Sequence, residues 1–125
     1  MLFGGALALA WCTQQARGTI DLDVNVFVGR LWWGTTPVDL VLNTSDFHEE
    51  VATRVRWEPF GGIDLPFLAC EDLAVFKAFF SRTKDWADLE AMRDAGTLDV
   101  AVIAGVLVTH LGGDDERVAR LLSLR

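Results

Sequence analysis

An α+β fold, a small mixed β-sheet bearing helices and followed by a helical extension, is predicted for this 125-residue chain by three observations. Residues 1–68 are rich in β-branched and aromatic runs broken by Gly and Pro, whereas residues 70–125 carry helical periodicity. Thr19 to Val28 alternates with period two, the pattern of a strand. Leu73, Phe76, Phe79 and Phe80 recur at helical spacing and give an apolar stripe. The length suits one domain with a modest core, made of a sheet-containing part over 1–69 and a helical part over 70–125.

Met1-Leu2-Phe3 ends a strand, and Gly4-Gly5 turns it into Ala6-Leu7-Ala8-Leu9-Ala10-Trp11, a run of strong helix formers. In the alternating segment Ile20, Leu22, Val24, Val26 and Val28 share one face; Asp21, Asp23, Asn25 and Phe27 share the other. Gly34-Thr35-Thr36-Pro37 reads as a turn, and Val38 to Leu42 as the next strand. Asp46 caps a short helix to about Arg54, with Val51 and Val55 inward. Gly61-Gly62 splits a hairpin between Arg56–Phe60 and Ile63–Leu68. The stripe from Cys70 is the first helix of the second half. Thr83 caps the next, Lys84 to Ala95, which Gly96 ends. Thr97 or Asp99 opens an apolar helix to Leu111, Gly112-Gly113 stops it, and Asp114 caps a last helix bearing Val118, Leu121 and Leu122.

The formal charge of −7 argues against a general coater of nucleic acid, because phosphate neutralisation needs a basic face. Only a local patch such as Arg54 and Arg56 runs the other way. Excess acid suits a site that collects divalent cations, and equally serves solubility. Cys12 and Cys70 lie far apart, without metal-ligand spacing or a neighbouring basic cluster; they read as small core thiols in a reducing compartment. Met1 to Trp11 is apolar enough for a signal peptide but has no basic n-region and no small-residue cleavage site. The apolar run Leu98 to Leu111 falls short of the ~20 residues that cross a bilayer. A cytoplasmic protein without a membrane partner is expected.

The residues that point to chemistry are Asp21 and Asp23, a D-x-D within a strand. Residues two apart on a strand stand on the same face, about 6–7 Å apart. Burying two carboxylates together is costly, and a cation is the natural compensation. Magnesium takes hard oxygen ligands, usually one or two carboxylates plus substrate phosphates. Asp39, between Val38 and Leu40, brings a third carboxylate if its strand lies beside the first. Two metals ~3.5–4 Å apart then clamp the attacking and leaving oxygens of an in-line displacement. D-x-D alone is more often the wet face of an antiparallel sheet. Gly4-Gly5 at a strand-to-helix junction lets backbone N–H groups approach a phosphate, and a tight turn needs the same glycines.

Gly4-Gly5-Ala6-Leu7-Ala8, then Arg17-Gly18-Thr19-Ile20-Asp21-Leu22-Asp23-Val24, resembles the opening of the DNA polymerase β-like nucleotidyltransferase superfamily. It is closest to the branch of the AbiEii-type toxins and related bacterial proteins. Val38-Asp39-Leu40 is similar to the setting of that superfamily's third carboxylate. The likeness continues through Glu71-Asp72-Leu73-Ala74-Val75-Phe76-Lys77 and Arg82-Thr83-Lys84-Asp85-Trp86-Ala87-Asp88-Leu89, and so spans roughly residues 4–90. The resemblance implies a minimal nucleotidyltransferase fold and a magnesium (or manganese) site at Asp21, Asp23 and Asp39, the catalytic residues. Gly4, Gly5, Arg17 and Thr19 would then bind the nucleotide, with Lys77 and Lys84 neutralising its phosphates. The reaction implied is transfer of a nucleoside monophosphate from an NTP to a hydroxyl on an RNA end, a protein or a small molecule. Many active members have Gly-Ser where this chain has Gly4-Gly5, so a phosphate-binding hydroxyl is missing. An upstream helix expected of this branch is absent too, which reads as a misplaced start codon or a truncation.

Two rivals stand beside this reading. One is a catalytically degenerate partner in a toxin–antitoxin or regulatory complex, or a homodimer, using the apolar helix 98–111, since a helix apolar all round is buried somewhere. The other is a structural domain whose wet face carries D-x-D. Lys84, Asp85 and Asp88 also suit surface ion pairs at i,i+3 and i,i+4, and Arg17 a sheet-edge charge. His48 and His110 are solitary, and Trp32, Trp33 and Trp57 read as core or interface residues.

Overall fold

The computed structural model describes residues 2–15, 22–25, 29–40 and 46–124, in two compact units, Met1–Ala69 and Cys70–Arg125. Along the first unit run β1 (Leu2–Phe3), α1 (Gly5–Thr13), β2 (Leu22–Asn25), β3 (Gly29–Trp33), β4 (Thr36–Leu40), α2 (Asp46–Thr53), β5 (Arg56–Phe60) and β6 (Ile63–Phe67). The strands form one mixed sheet in the order β3-β4-β2-β1-β6-β5. β1 pairs antiparallel with β2 and parallel with β6, β2 pairs parallel with β4, and β3–β4 and β5–β6 are hairpins. The α+β class and the mixed sheet are as the sequence predicts.

β2 lies within the alternating run; 19–21, 26–28 and 41–42 of the expected strands lie outside the described residues. β3 is an element the sequence reading lacks. Gly29 looks like the end of the alternating run, yet Leu31, Trp32 and Trp33 are strand formers and pair with Val38, Pro37 and Thr36 across the Gly34-Thr35 turn. In the second hairpin Gly61 and Gly62 both have positive φ, 58° and 85°. A two-residue hairpin of this hand requires that conformation, and glycine adopts it without Cβ strain.

The core of this unit joins Leu2, Phe3, Ala8, Leu9, Val51, Phe67 and Leu68. The Trp11 ring stands edge-on to Phe67 at 6.2 Å, and Phe3 meets Phe67 at 5.7 Å. Helix α1 therefore covers the sheet face that carries Phe3 and Phe67. Trp32 and Trp57 sit on the two edge strands at 65% and 66% exposure, so neither is a core residue.

The second unit is helical: α3 (Cys70–Phe80), α4 (Thr83–Asp94), α5 (Val100–Leu111) and α6 (Glu116–Leu122). α3 packs on α4, α5 and α6 around Leu73, Ala74, Ala78, Trp86, Leu89, Met92, Ile103, Leu107 and Leu121. The buried face of α3 is rotated from the expected stripe. Ala74 and Ala78 are fully buried, where their small size lets neighbouring helices approach, whereas Phe79 and Phe80 are 44% and 49% exposed. The two rings lie instead beneath guanidinium groups, Arg117 over Phe79 at 5.2 Å and Arg82 over Phe80 at 5.5 Å.

Two caps are corrected by one residue each. Thr83 is already helical; Arg82 is the N-cap of α4, and the Asp85 carboxylate reaches back to accept from its backbone N–H at 3.1 Å. Asp115 rather than Asp114 accepts from the Arg117 N–H and starts α6. For α5 the choice falls on Asp99, which accepts from the N–H groups of Ala101 and Val102 at 3.0 and 3.1 Å. Asp99→Ala is expected to cost about 1 kcal/mol in denaturant unfolding. Asp114→Ala, an exposed position outside the cap, is expected to stay within about 0.5 kcal/mol.

Cys12 and Cys70 are buried as expected, but both are disulfide-bonded. They are not thiols, and the thiol argument for a reducing compartment goes with them. Among the described residues no helix is long and apolar enough to cross a membrane.

Candidate functional site

Strands β2 and β4 lie side by side and parallel, and their register pairs Leu22 with Val38, Asp23 with Asp39 and Val24 with Leu40. Residues level on neighbouring strands share a face and stand ~4.8 Å apart along the sheet. Asp23 and Asp39, sixteen positions apart in the chain, are thus neighbours in one row. A register shifted by one would have put them on opposite faces.

The same counting locates the row within the sheet. Phe3 pairs with Val24, so the Phe3 face, which α1 covers, alternates with the face of the Asp row. The two aspartates hold register positions on the face opposite the one α1 covers. Continuing the antiparallel count past Phe3 brings Gly4 level with Asp23. The strand-to-helix turn and the acidic row therefore meet at the same end of β1 and β2. Gly4 is buried and serves as the N-cap of α1 without a side-chain bond, and Gly5 follows at φ 54°. That left-handed value strains any residue with a Cβ, so serine in its place is disfavoured by the backbone itself.

Two aspartates level on adjacent parallel strands suit a hard divalent cation, which takes one or two carboxylates and leaves room for phosphate oxygens. Among the described residues no group of three or more His, Cys, Asp or Glu gathers as a metal site. Asp21, Arg17 and Thr19 lie outside the described residues.

A third charged residue occupies the row. The β3–β4 register sets Arg30 against Asp39, so Arg30, Asp39 and Asp23 follow one another across three strands. The sequence reading passed over Arg30 because it lacked β3. The signal was present in Leu31-Trp32-Trp33 before a Gly-containing two-residue turn.

Lys77 and Lys84 belong to the helical unit. Lys84 is exposed. Lys77 is only 7% exposed, with its Nζ 2.6 Å from Asp88 Oδ2 and 3.8 Å from Asp85 Oδ1. Asp85 and Asp88 are themselves 0% and 3% exposed, which overturns their reading as surface pairs. The charge on Lys77 that the resemblance lends to phosphates is engaged within the helices. Arg82 adds a two-pronged grip on Asp85, Nε to Oδ2 at 2.6 Å and Nη2 to Oδ1 at 3.1 Å. Burial pushes the Asp85 carboxyl up, but the Arg82 hydrogen bonds, with the charges of Arg82 and Lys77, outweigh it and hold the group below its ordinary value.

Arg54 and Arg56 do not make a bare basic patch either. Arg54 stands 3.7 Å from Glu50, and Arg56 donates to Glu58 at 2.7 Å. No protein-family model matches this chain, and no curated protein matches it.

Proposed function

We propose that this chain is a magnesium-dependent nucleotidyltransferase that moves a nucleoside monophosphate from an NTP to a hydroxyl acceptor. The observation that carries the reading is the Asp23–Asp39 register on adjacent parallel strands, with the Gly4-Gly5 turn following β1, the strand that pairs with β2. The likeness of residues 4–24 and 38–40 to the nucleotidyltransferase superfamily supports it from the sequence side. In the proposed reaction the acceptor oxygen bonds to the α-phosphorus, the bond from that phosphorus to the β-phosphate oxygen breaks, and pyrophosphate leaves. Asp39 would help to take the acceptor's proton, and Asp21 and Asp23 would hold the cation that accompanies the triphosphate. What magnesium supplies when bound is neutralisation of phosphate charge and polarisation of the phosphoryl oxygens. The rest is positioning on a sheet.

A second reading, a degenerate binding partner, draws on two observations. Gly4-Gly5 offers no hydroxyl to a phosphate, and α5 exposes Val102 and Val108 at 52% and 41%. Calorimetric titration of ATP, GTP, CTP and UTP with magnesium, on wild type and on Asp21→Ala/Asp23→Ala, tests the site. Magnesium-dependent binding that disappears in the double variant is the expected result; a folded wild type that binds none of the four ends the proposal. Turnover of labelled NTP then separates catalyst from binder.

A further inference from the structure

Helix α5 is buried along Ile103, Ala104 and Leu107, and its opposite face is open at Ala101, Val102, Gly105, Val108 and Thr109. At about 100° per residue these five lie within about 60° either side of Gly105. They are placed symmetrically about it: Val102 and Val108 stand three residues away, Ala101 and Thr109 four. Residues 100–111 include no Asp, Glu, Lys or Arg, in a chain whose formal charge is −7. Of the five only Thr109 has a polar side chain, and its hydroxyl donates to the Gly105 carbonyl at 3.0 Å. The face can therefore be dried without leaving a side-chain polar group unmet. Gly105 itself is a separate observation. Glycine inside a helix weakens it relative to alanine. Here φ is not positive, and a Cβ would meet no atom within 4 Å, so neither the backbone nor the packing of the described residues asks for glycine. What glycine does permit is close approach by a second backbone.

We infer that this face docks α5 of a second copy of the chain, the two helices running antiparallel and crossing at Gly105 about a two-fold axis. A two-fold contact joins the same patch on both subunits, so the patch must complement itself. A face symmetric about its own centre does so. With the helices antiparallel, Val102 of one copy comes level with Val108 of the other, on the opposite side of the midline, and the glycines meet between them. Charge selects the occupant. A charged peptide finds no partner on this face, and it lacks the Lys and Arg by which helices hold an anionic bilayer surface. Two copies at −7 repel each other over much of their surface, and a charge-free face adds nothing to that repulsion. The face is about 18 Å long and 10 Å across, small beside the ~800 Å² per partner of a standard interface. The dimer is therefore weak, with a Kd on the order of 100 µM. None of this depends on the proposed nucleotide site.

Sedimentation velocity of the full chain, from about 10 µM to about 1 mM, reads the equilibrium on both sides of that Kd. Wild type is expected to pass from monomer to dimer across the range. Gly105→Leu, a better helix former that meets nothing in its own chain, is expected to weaken the dimer at least ~10-fold while Tm of the dilute protein holds or rises. Val102→Glu is expected to weaken it too, by placing a carboxylate in the dried face. Mixed with Val108→Lys it is expected to form a heterodimer, because antiparallel helices set those two positions level. A wild type that stays monomeric to about 1 mM, a Gly105→Leu chain that dimerises like wild type, or the absence of the mixed dimer overturns the inference. Monomers that co-sediment with phosphatidylcholine vesicles overturn it as well, since the face would then belong to lipid.

Discussion

Lys77→Met is expected to destabilise the helical unit by about 3–5 kcal/mol, the cost of leaving buried carboxylates without their cation. The Lys77 ammonium lies 2.6 Å from Asp88, and both groups are almost wholly out of water. Methionine keeps the length and apolar stem, so the loss comes from charge rather than from a cavity. Thermal unfolding reads it as a fall in Tm of about 10 °C or more. Lys77→Met/Asp88→Leu is expected to recover much of the loss, since removing both members of a buried pair is often close to neutral. If Lys77→Met unfolds like wild type, the pair is not what fastens α3 to α4.

Arg82 acts on the same cluster from the solvent side, and its consequence is a pH dependence. The folded Asp85 carboxyl lies below its unfolded value of 3.8. Its contribution is therefore fully present above 3.8 and is lost as pH falls through the lower, folded value. Arg82→Gln removes the hydrogen bonds and charge that outweigh burial. The folded value rises, and acid unfolding, followed by circular dichroism, is expected to begin at a higher pH than in wild type.

How much of this was legible in the sequence differs between the two halves for physical reasons. Period-two alternation and glycine-bounded turns are local signals, so β2, β4 and the β5–β6 hairpin were readable to within a few residues. Register is not local: that Asp39 lies level with Asp23, and not one step away, depends on how β2 and β4 settle against one another. β3 was hidden because the run to Val28 looked complete, and Arg30 was hidden with it. In the helices, spacing identified α3 but not which of its faces is inward, because Ala74 and Ala78 carry no weight in a hydrophobic stripe although both are fully buried. A polar motif such as Lys77…Arg82…Asp85…Asp88 reads the same whether it serves a ligand or its own core. Only burial and distance distinguish the two.

Asp39→Asn is expected to reduce NTP turnover by about 10²–10⁴-fold, the range for loss of a general base, while leaving the fold intact. The amide keeps the size of the carboxylate and removes one of the two negative charges in the Asp23–Asp39 row. Cross-strand contributions at a sheet position are about 0.2–1 kcal/mol, so its effect on stability is small. Tm is accordingly expected to remain close to wild type, the reverse of the Lys77 pattern, where stability falls first. Asp64→Asn, an exposed carboxylate on β6 far along the sheet order from β4, is the matched control and is expected to turn over as wild type does. Equal turnover by Asp39→Asn and Asp64→Asn would remove Asp39 from the chemistry and leave its place in the row as a matter of folding alone.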